Sequence, residues 1–169
     1  TVTTVDPPEL VQFIRRSYPE AWEGRNKPKK TMWDLIVEKR VPPTRLMRYC
    51  CQVLKEGGGA KRSVVTGVRH AESAKRAKRQ MVETCRHNRS KQYILPIIDW
   101  SDADVWEYIH TYNVPYCKLY DEGKKRLGCI MCPYQGTAGM KRDAERWPQS
   151  AKAYEAALQR MLDKRRAAG

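Results

Sequence analysis

The spacing of hydrophobic positions changes repeatedly along the chain, and the changes predict helices alternating with strands. Residues 2–5 read as the end of a strand, after which Asp6-Pro7-Pro8-Glu9 supplies an N-cap, a proline in the first turn and an acidic third position. A helix starts there, with Leu10, Phe13, Ile14 and Tyr18 on its apolar face, and Pro19 closes it. Residues 24–30 form a basic loop. Thr31 and Asp34 then make a capping box for a short helix carrying Met32, Leu35 and Ile36, which Val41-Pro42-Pro43 ends. The pattern predicts another helix over 44–56, stopped by a turn at Gly57-Gly58-Gly59. Residues 63–68 and 93–98 are β-branched, short and apolar, as buried strands are, while 73–85 reads as a strongly basic helix. Ser101 and Asp104 form a second capping box, opening a helix with Val105, Trp106 and Ile109. Residues 113–139 are rich in Gly, Pro and Tyr and keep no period. The last helix spans 148–166, with Tyr154, Leu158, Met161 and Leu162 on one face. Together these elements predict an α/β fold with a parallel sheet flanked by helices, in a single domain over 1–169.

Charge adds a partner to this picture. The chain carries 33 basic against 19 acidic side chains, a net +14 over 169 residues, which implies an anionic substrate or partner and leaves nucleic acid open. The basic residues come in bursts at 27–30, 75–79, 124–126 and 164–166. No apolar run is long enough for a membrane span, and six cysteines are too few for a disulfide-dense secreted scaffold. A reducing, cytoplasmic setting is the expectation.

The cysteines carry the sharpest chemistry. Cys50-Cys51 is answered far downstream by Cys129-Ile130-Met131-Cys132, and four thiolates in two tight pairs can close around one metal centre. An iron–sulfur cluster is the leading reading. Zinc is the alternative, although a zinc ribbon would show Cys-x-x-Cys at both ends; a disulfide or four unconnected buried thiols also remain open. Gly128 and Pro133 bracket the second pair as a sharply turned loop. A second candidate site is the loop Gly67-Val68-Arg69-His70-Ala71-Glu72-Ser73, placed at the carboxyl end of a strand. There Arg69 can offer a fork of donors to a phosphate or sulfate, the following helix N-terminus adds free amides, and Arg76 lies one turn further on. His87 and His110 read as surface residues, and Trp100 and Trp106 as core.

Taken in order, Arg48-Tyr49-Cys50-Cys51 with Lys55, Gly67-Val68-Arg69 with Glu72-Ser73, Pro96-Ile97-Ile98-Asp99-Trp100 with Asp104-Val105-Trp106, Leu119-Tyr120-Asp121-Glu122-Gly123 and Gly128-Cys129-Ile130-Met131-Cys132-Pro133 resemble the phosphoadenosine phosphosulfate (PAPS/APS) reductase family over nearly the whole chain. The resemblance implies a partial Rossmann-like fold of the adenosine nucleotide α-hydrolase type with a cluster-binding loop region. It implies a [4Fe–4S] cluster on Cys50, Cys51, Cys129 and Cys132. It also places Lys55, Gly67, Arg69, Glu72, Ser73 and Arg76 around the phosphate or phosphosulfate of an adenosine nucleotide (APS, PAPS or ATP). The implied activity is sulfonucleotide reduction to sulfite with a thioredoxin-type reductant, or ATP α-phosphate chemistry for sulfur transfer. The alternatives are ATP-dependent sulfur incorporation into nucleic acid and a non-enzymatic, cluster-containing nucleic-acid-binding module. Two departures stand out. The family's Ser-Gly-Gly-Lys-Asp-Ser type loop is absent, as though the chain began near the family's second strand, and no cysteine follows Cys132 to act as the usual carboxyl-terminal nucleophile. Cys85 and Cys117 read as incidental thiols.

Overall fold

The structure is a computed structural model that describes residues 3–24, 29–56, 59–86 and 88–168. His87, Val2 and parts of the basic loop at 24–30 and of the glycine turn at 57–59 lie outside these residues. The chain divides into two units, Thr1–Gly57 with Cys117–Gly169, and Gly58–Tyr116.

In the first unit, α1 (Pro8–Ser17) starts one residue later than its capping pattern suggests. Pro7 takes the N-cap position without a side-chain bond, because Asp6 accepts the amide of Thr3 instead. Thr3 to Val5 is a turn and not a strand end. Pro19 does more than end α1, since it opens a short helix of its own, α2 (Pro19–Glu23). The Thr31–Asp34 capping box is present and opens α3 (Met32–Lys39). The helix read over 44–56 begins only at α4 (Tyr49–Cys51) and continues as a π-helical turn, Gln52–Glu56, so the cysteine pair sits at its start and not near its end. The segment before it is held as a turn, with Met47 N–H donating to Thr44 Oγ1 (2.9 Å).

Met32, Leu35 and Ile36 of α3 pack on Tyr154, Ala157 and Met161 of the final helix, with Val5 and Leu54 completing a buried cluster. Each such side chain contributes roughly 1.5–3 kcal/mol relative to exposure. The final helix, α7 (Pro148–Arg166), has the predicted bounds, but Ala157 and not Leu162 belongs to its buried face. A second cluster gathers Cys117, Leu119, Ile130 and Trp147 against Leu10 and Phe13 of α1. The aperiodic stretch at 113–139 hides the start of a further helix, α6 (Gly136–Arg146).

The second unit holds β1 (Ser63–Val65), β2 (Val82–Thr84), β3 (Gln92–Ile94) and α5 (Asp102–Thr111). The sheet order is β1-β3-β2; β1 pairs parallel with β3, setting Val64 opposite Tyr93, whereas β2 pairs antiparallel, setting Glu83 opposite Tyr93. The sheet is therefore mixed, not parallel. The basic segment 73–85 is not a helix: after one 3-10 turn, Arg76–Lys78, it extends into β2, because Leu95 N–H bonds to the carbonyl of Met81 (2.7 Å) and recruits the strand. Nor are the outer strands buried, Val65 being 65% exposed. The Ser101–Asp104 capping box is present and opens α5. The architecture is α/β, with a small mixed sheet and helices. No helix among the described residues is long and apolar enough to cross a membrane.

Candidate metal centre and anion loop

The first unit brings the two cysteine pairs into one neighbourhood. Cys50 and Cys51 are half-buried at the start of α4, where the burial of Tyr49 and Leu54 fixes the turn. Tyr49 anchors it by donating its hydroxyl to the Val41 carbonyl (2.8 Å). Burial and the adjacent Cys50 push that hydroxyl up to about 12. The second pair is tied in by backbone and side chains together. Ile130 N–H donates to the Val5 carbonyl (2.8 Å), Thr3 Oγ1 lies 3.9 Å from Cys129 Sγ, and the Lys55 ammonium acts on the same sulfur. Arg45 Nε donates to the Pro133 carbonyl (3.2 Å), Tyr134 returns a bond to the Arg45 carbonyl (3.2 Å), and Arg48 lies over the Tyr134 ring. The approach to one pair thus clamps the exit from the other.

Electrostatics reports the same convergence. Burial pushes the Cys50 thiol up, and the neighbouring Cys51 and Cys129 push it further. Cys129 is also raised by burial, against the pull of Lys55. For Lys55 burial acts downward, but Cys129, Asp6 and Cys51 together outweigh it and the ammonium is held above its ordinary value. Arg48 is raised chiefly by donating to Cys51 Sγ (3.6 Å). Tyr154 is raised by burial first and then by Cys50, Cys132 and Cys129, so three thiols of both pairs act on one hydroxyl. Burial thus wins at Cys50 and Cys129, and a metal, which takes thiolate, would have to displace their protons on binding. Among the described residues, no group of three or more His, Cys, Asp or Glu side chains is arranged to hold a metal ion directly.

The second unit carries the loop after β1. His70 N–H donates to the Ile98 carbonyl (2.7 Å), and a Cβ at Gly67 would only reach ordinary contact with Ile97 (3.6 Å). Arg69 is engaged on all sides: Nη2 pairs with Asp102 (2.6 Å), Nη1 donates to the Trp100 carbonyl (3.3 Å), and Nε lies 3.9 Å from Glu72. Glu72 also pairs with Arg76. Ser73 accepts the Arg76 amide on its hydroxyl (3.3 Å), and His70 lies between Asp99 (3.1 Å) and the Arg79 carbonyl (2.8 Å). No α-helix follows, so free helix amides are not part of this loop. At the end of β1, Thr66 Oγ1 is buried without a hydrogen-bond partner, the one such side-chain atom among the described residues.

A family model described as the phosphoadenosine phosphosulfate reductase domain matches residues 5–135, a span that includes both cysteine pairs and the Arg69 loop. The chain belongs to this family. Among its relatives is an adenosine 5'-phosphosulfate reductase of Oceanobacillus iheyensis, 28% identical over 155 residues, which cover 85% of this chain and 62% of that protein. The corresponding reductase of Neisseria meningitidis serogroup A is 37% identical over 149 residues, covering 82% of this chain and 60% of that protein. The crystal structure of a PAPS reductase from Candida auris, a phosphate complex, superposes with a TM-score of 0.52 at 21% identity, covering 75% of this chain and 66% of that one, and supports a partial Rossmann-like fold. The chain thus spans less than two-thirds of the length of these relatives.

Of the residues singled out from sequence, the four cysteines and Lys55 share the first unit, and Gly67, Arg69, Glu72, Ser73 and Arg76 share the second. The surroundings went unread. Arg48 stands three residues before Cys51, one helical turn away, and is a cation beside a thiol, which is a usable signal; Thr3, Tyr154 and Thr66 carry none, because their role comes from contacts distant in sequence.

Proposed function

We propose that this chain is part of a sulfonucleotide reductase that holds a [4Fe–4S] cluster on Cys50, Cys51, Cys129 and Cys132 and takes an adenosine phosphosulfate at the Arg69 loop. The observation that carries the proposal is that Cys50 and Cys129, one from each pair, pack against the same buried cluster, which contains Leu54 and Tyr154, and that both pairs lie within the segment matched by the family model. The donor set fits the group: four cysteine sulfurs and no other ligand type, with Arg48 donating to Cys51 Sγ, and thiolate sulfur is the ligand that iron–sulfur clusters take. When bound, the cluster would supply an iron–sulfur centre whose potential is set by the hydrogen bonds and burial of these sulfurs.

The residues themselves bind and orient. Arg69 presents a planar fork suited to sulfate or phosphate oxygens, and an incoming anion competes with Asp102 and Glu72 for it. Thr66 offers a hydroxyl whose burial unpaired costs about 1–3 kcal/mol, which a ligand oxygen or a water would recover. Reduction to sulfite requires thiolate attack on the sulfate sulfur, expulsion of the adenosine nucleotide, and a second thiol that releases sulfite and leaves a disulfide, as a thioredoxin-type dithiol does. Cys117, 2% exposed, is closed off from that role. Arg76 and Arg79 of the basic run are paired with Glu72 and Glu83, which leaves the nucleic-acid readings without structural support.

The test is anaerobic purification of the full-length protein with iron, zinc and acid-labile sulfide assays, beside a Cys129→Ser, Cys132→Ser variant. About four irons and four sulfides, lost in the variant, together with sulfite release from an adenosine phosphosulfate in the presence of a dithiol, are the expected results. One zinc without sulfide would overturn the cluster, and an inert full-length protein would overturn the reaction.

A further inference from the structure

Asp143 is a buried carboxylate, 2% exposed, on α6, beyond the segment matched by the family model. It is the acceptor for three donors of the second cysteine loop and its flanks. Oδ2 takes the Met131 amide (2.9 Å) and the Gln135 side-chain amide (2.7 Å), and Oδ1 takes the Lys124 ammonium (3.1 Å). Met131 lies between the two cysteines with φ of +53°, a left-handed conformation that a non-glycine residue keeps only when its surroundings hold it there. The Gln135 side-chain amide also reaches the Cys129 carbonyl (3.2 Å) and its backbone N–H donates to the Cys132 carbonyl (2.9 Å), so one residue links both ends of the loop to Asp143. Gly139 makes room for it, since a Cβ there would lie 2.6 Å from Gln135 Cβ. Lys124 lies 5.0 Å over the Trp147 ring, which seats the other half of the ion pair against the second buried cluster.

We infer that Asp143 is the positioning residue of the Cys129–Cys132 loop: it holds the Met131 turn, and with it the spacing of the two thiols, before any cluster is present. The consequence for cluster retention rests on the function proposed above; the positioning does not. Asp143 touches neither thiol and acts through the Met131 amide and through Gln135.

The experiment measures alkylation rates of individual cysteines by mass spectrometry in the cluster-free protein, and the half-life of the cluster against a chelator by visible absorbance in the protein as purified. The chains compared are wild type, Asp143→Ala, Asp143→Asn, Gln135→Ala and Met161→Ala, the last weakening the same unit through its core without touching the loop. In Asp143→Ala the rates at Cys129 and Cys132 should rise about tenfold while those at Cys50 and Cys51 change less than about twofold. Asp143→Asn keeps an acceptor for Met131 and loses the ion pair, so it should fall between, and the cluster half-life should shorten in the same order. In Met161→Ala all four rates should move together. Unchanged rates at Cys129 and Cys132, or a uniform rise of all four in the Asp143 variants, would overturn the inference. If Asp143→Ala does not fold, Asp143→Asn and Gln135→Ala decide it by the same pattern. A wild-type protein without iron would sink the cluster reading and leave the alkylation comparison to judge Asp143 alone.

Discussion

The two units hold their functional side chains by different means. In Thr1–Gly57 with Cys117–Gly169, two buried hydrophobic clusters surround the thiols, and Tyr154 and Leu54 belong to the core and to the walls of the cysteine site at once. In Gly58–Tyr116, the fully buried apolar side chains among the described residues are Leu95 and Ile98, the strands are three residues each, and the Arg69 loop is fixed by ion pairs and carbonyls. A core-built site is rigid and indifferent to salt. A charge-built loop can exchange one anionic partner for another, because a phosphosulfate offers Arg69 what Asp102 and Glu72 already give it.

The comparison breaks most readily at the core. Ile36→Ala, at a fully buried position, should cost roughly 2–5 kcal/mol in urea unfolding, whereas Val65→Thr on the exposed outer strand should stay within about 0.5 kcal/mol. Equal costs would mean that the second unit hides a core of its own. Gly139→Ala comes next, at about 1–3 kcal/mol, because Gln135 must leave its bridge between Asp143 and Cys129; a variant as stable as wild type would show that the bridge is slack. Ser101→Ala removes the acceptor for the Asp104 amide and should lower the stability of the second unit by about 1 kcal/mol, read from amide exchange along α5. The smallest effect is one of pH. Glu83 is held below its ordinary value of 4.5, first by its bond from Arg79, so its contribution is present above that value and fades as the pH falls through the lower, folded one. Amide exchange in β2 should quicken over that acid range and do so less in Glu83→Gln.

What could be read from the sequence was local. Both capping boxes, the proline start of α7, the α/β class and the cysteine pairs depend on residues within a few positions of one another. The misread elements depend on distant ones. Residues 73–85 are rich in Ala, Lys and Arg, good helix formers, but pairing with β3 turns their last part into a strand and makes the sheet mixed. In α6, Gly136 and Gly139 lower helix propensity, and only the packing of Gln135 against Gly139 explains the second. Asp143 reads as one more surface charge until the fold places Met131 and Lys124 against it.

One unit is made from two stretches of chain with the other unit inserted between them. Cys129 leaves the ribosome roughly 80 residues after Cys51, a delay of about 4–16 s at ordinary synthesis rates. Through that interval Tyr49 and Leu54 have no Tyr154 to pack on, and the first cysteine pair waits with its half of the pocket unmade. Closing the thiol site therefore takes a long-range encounter between two segments separated by a whole inserted unit, and whatever loads it must act after that second segment has been made.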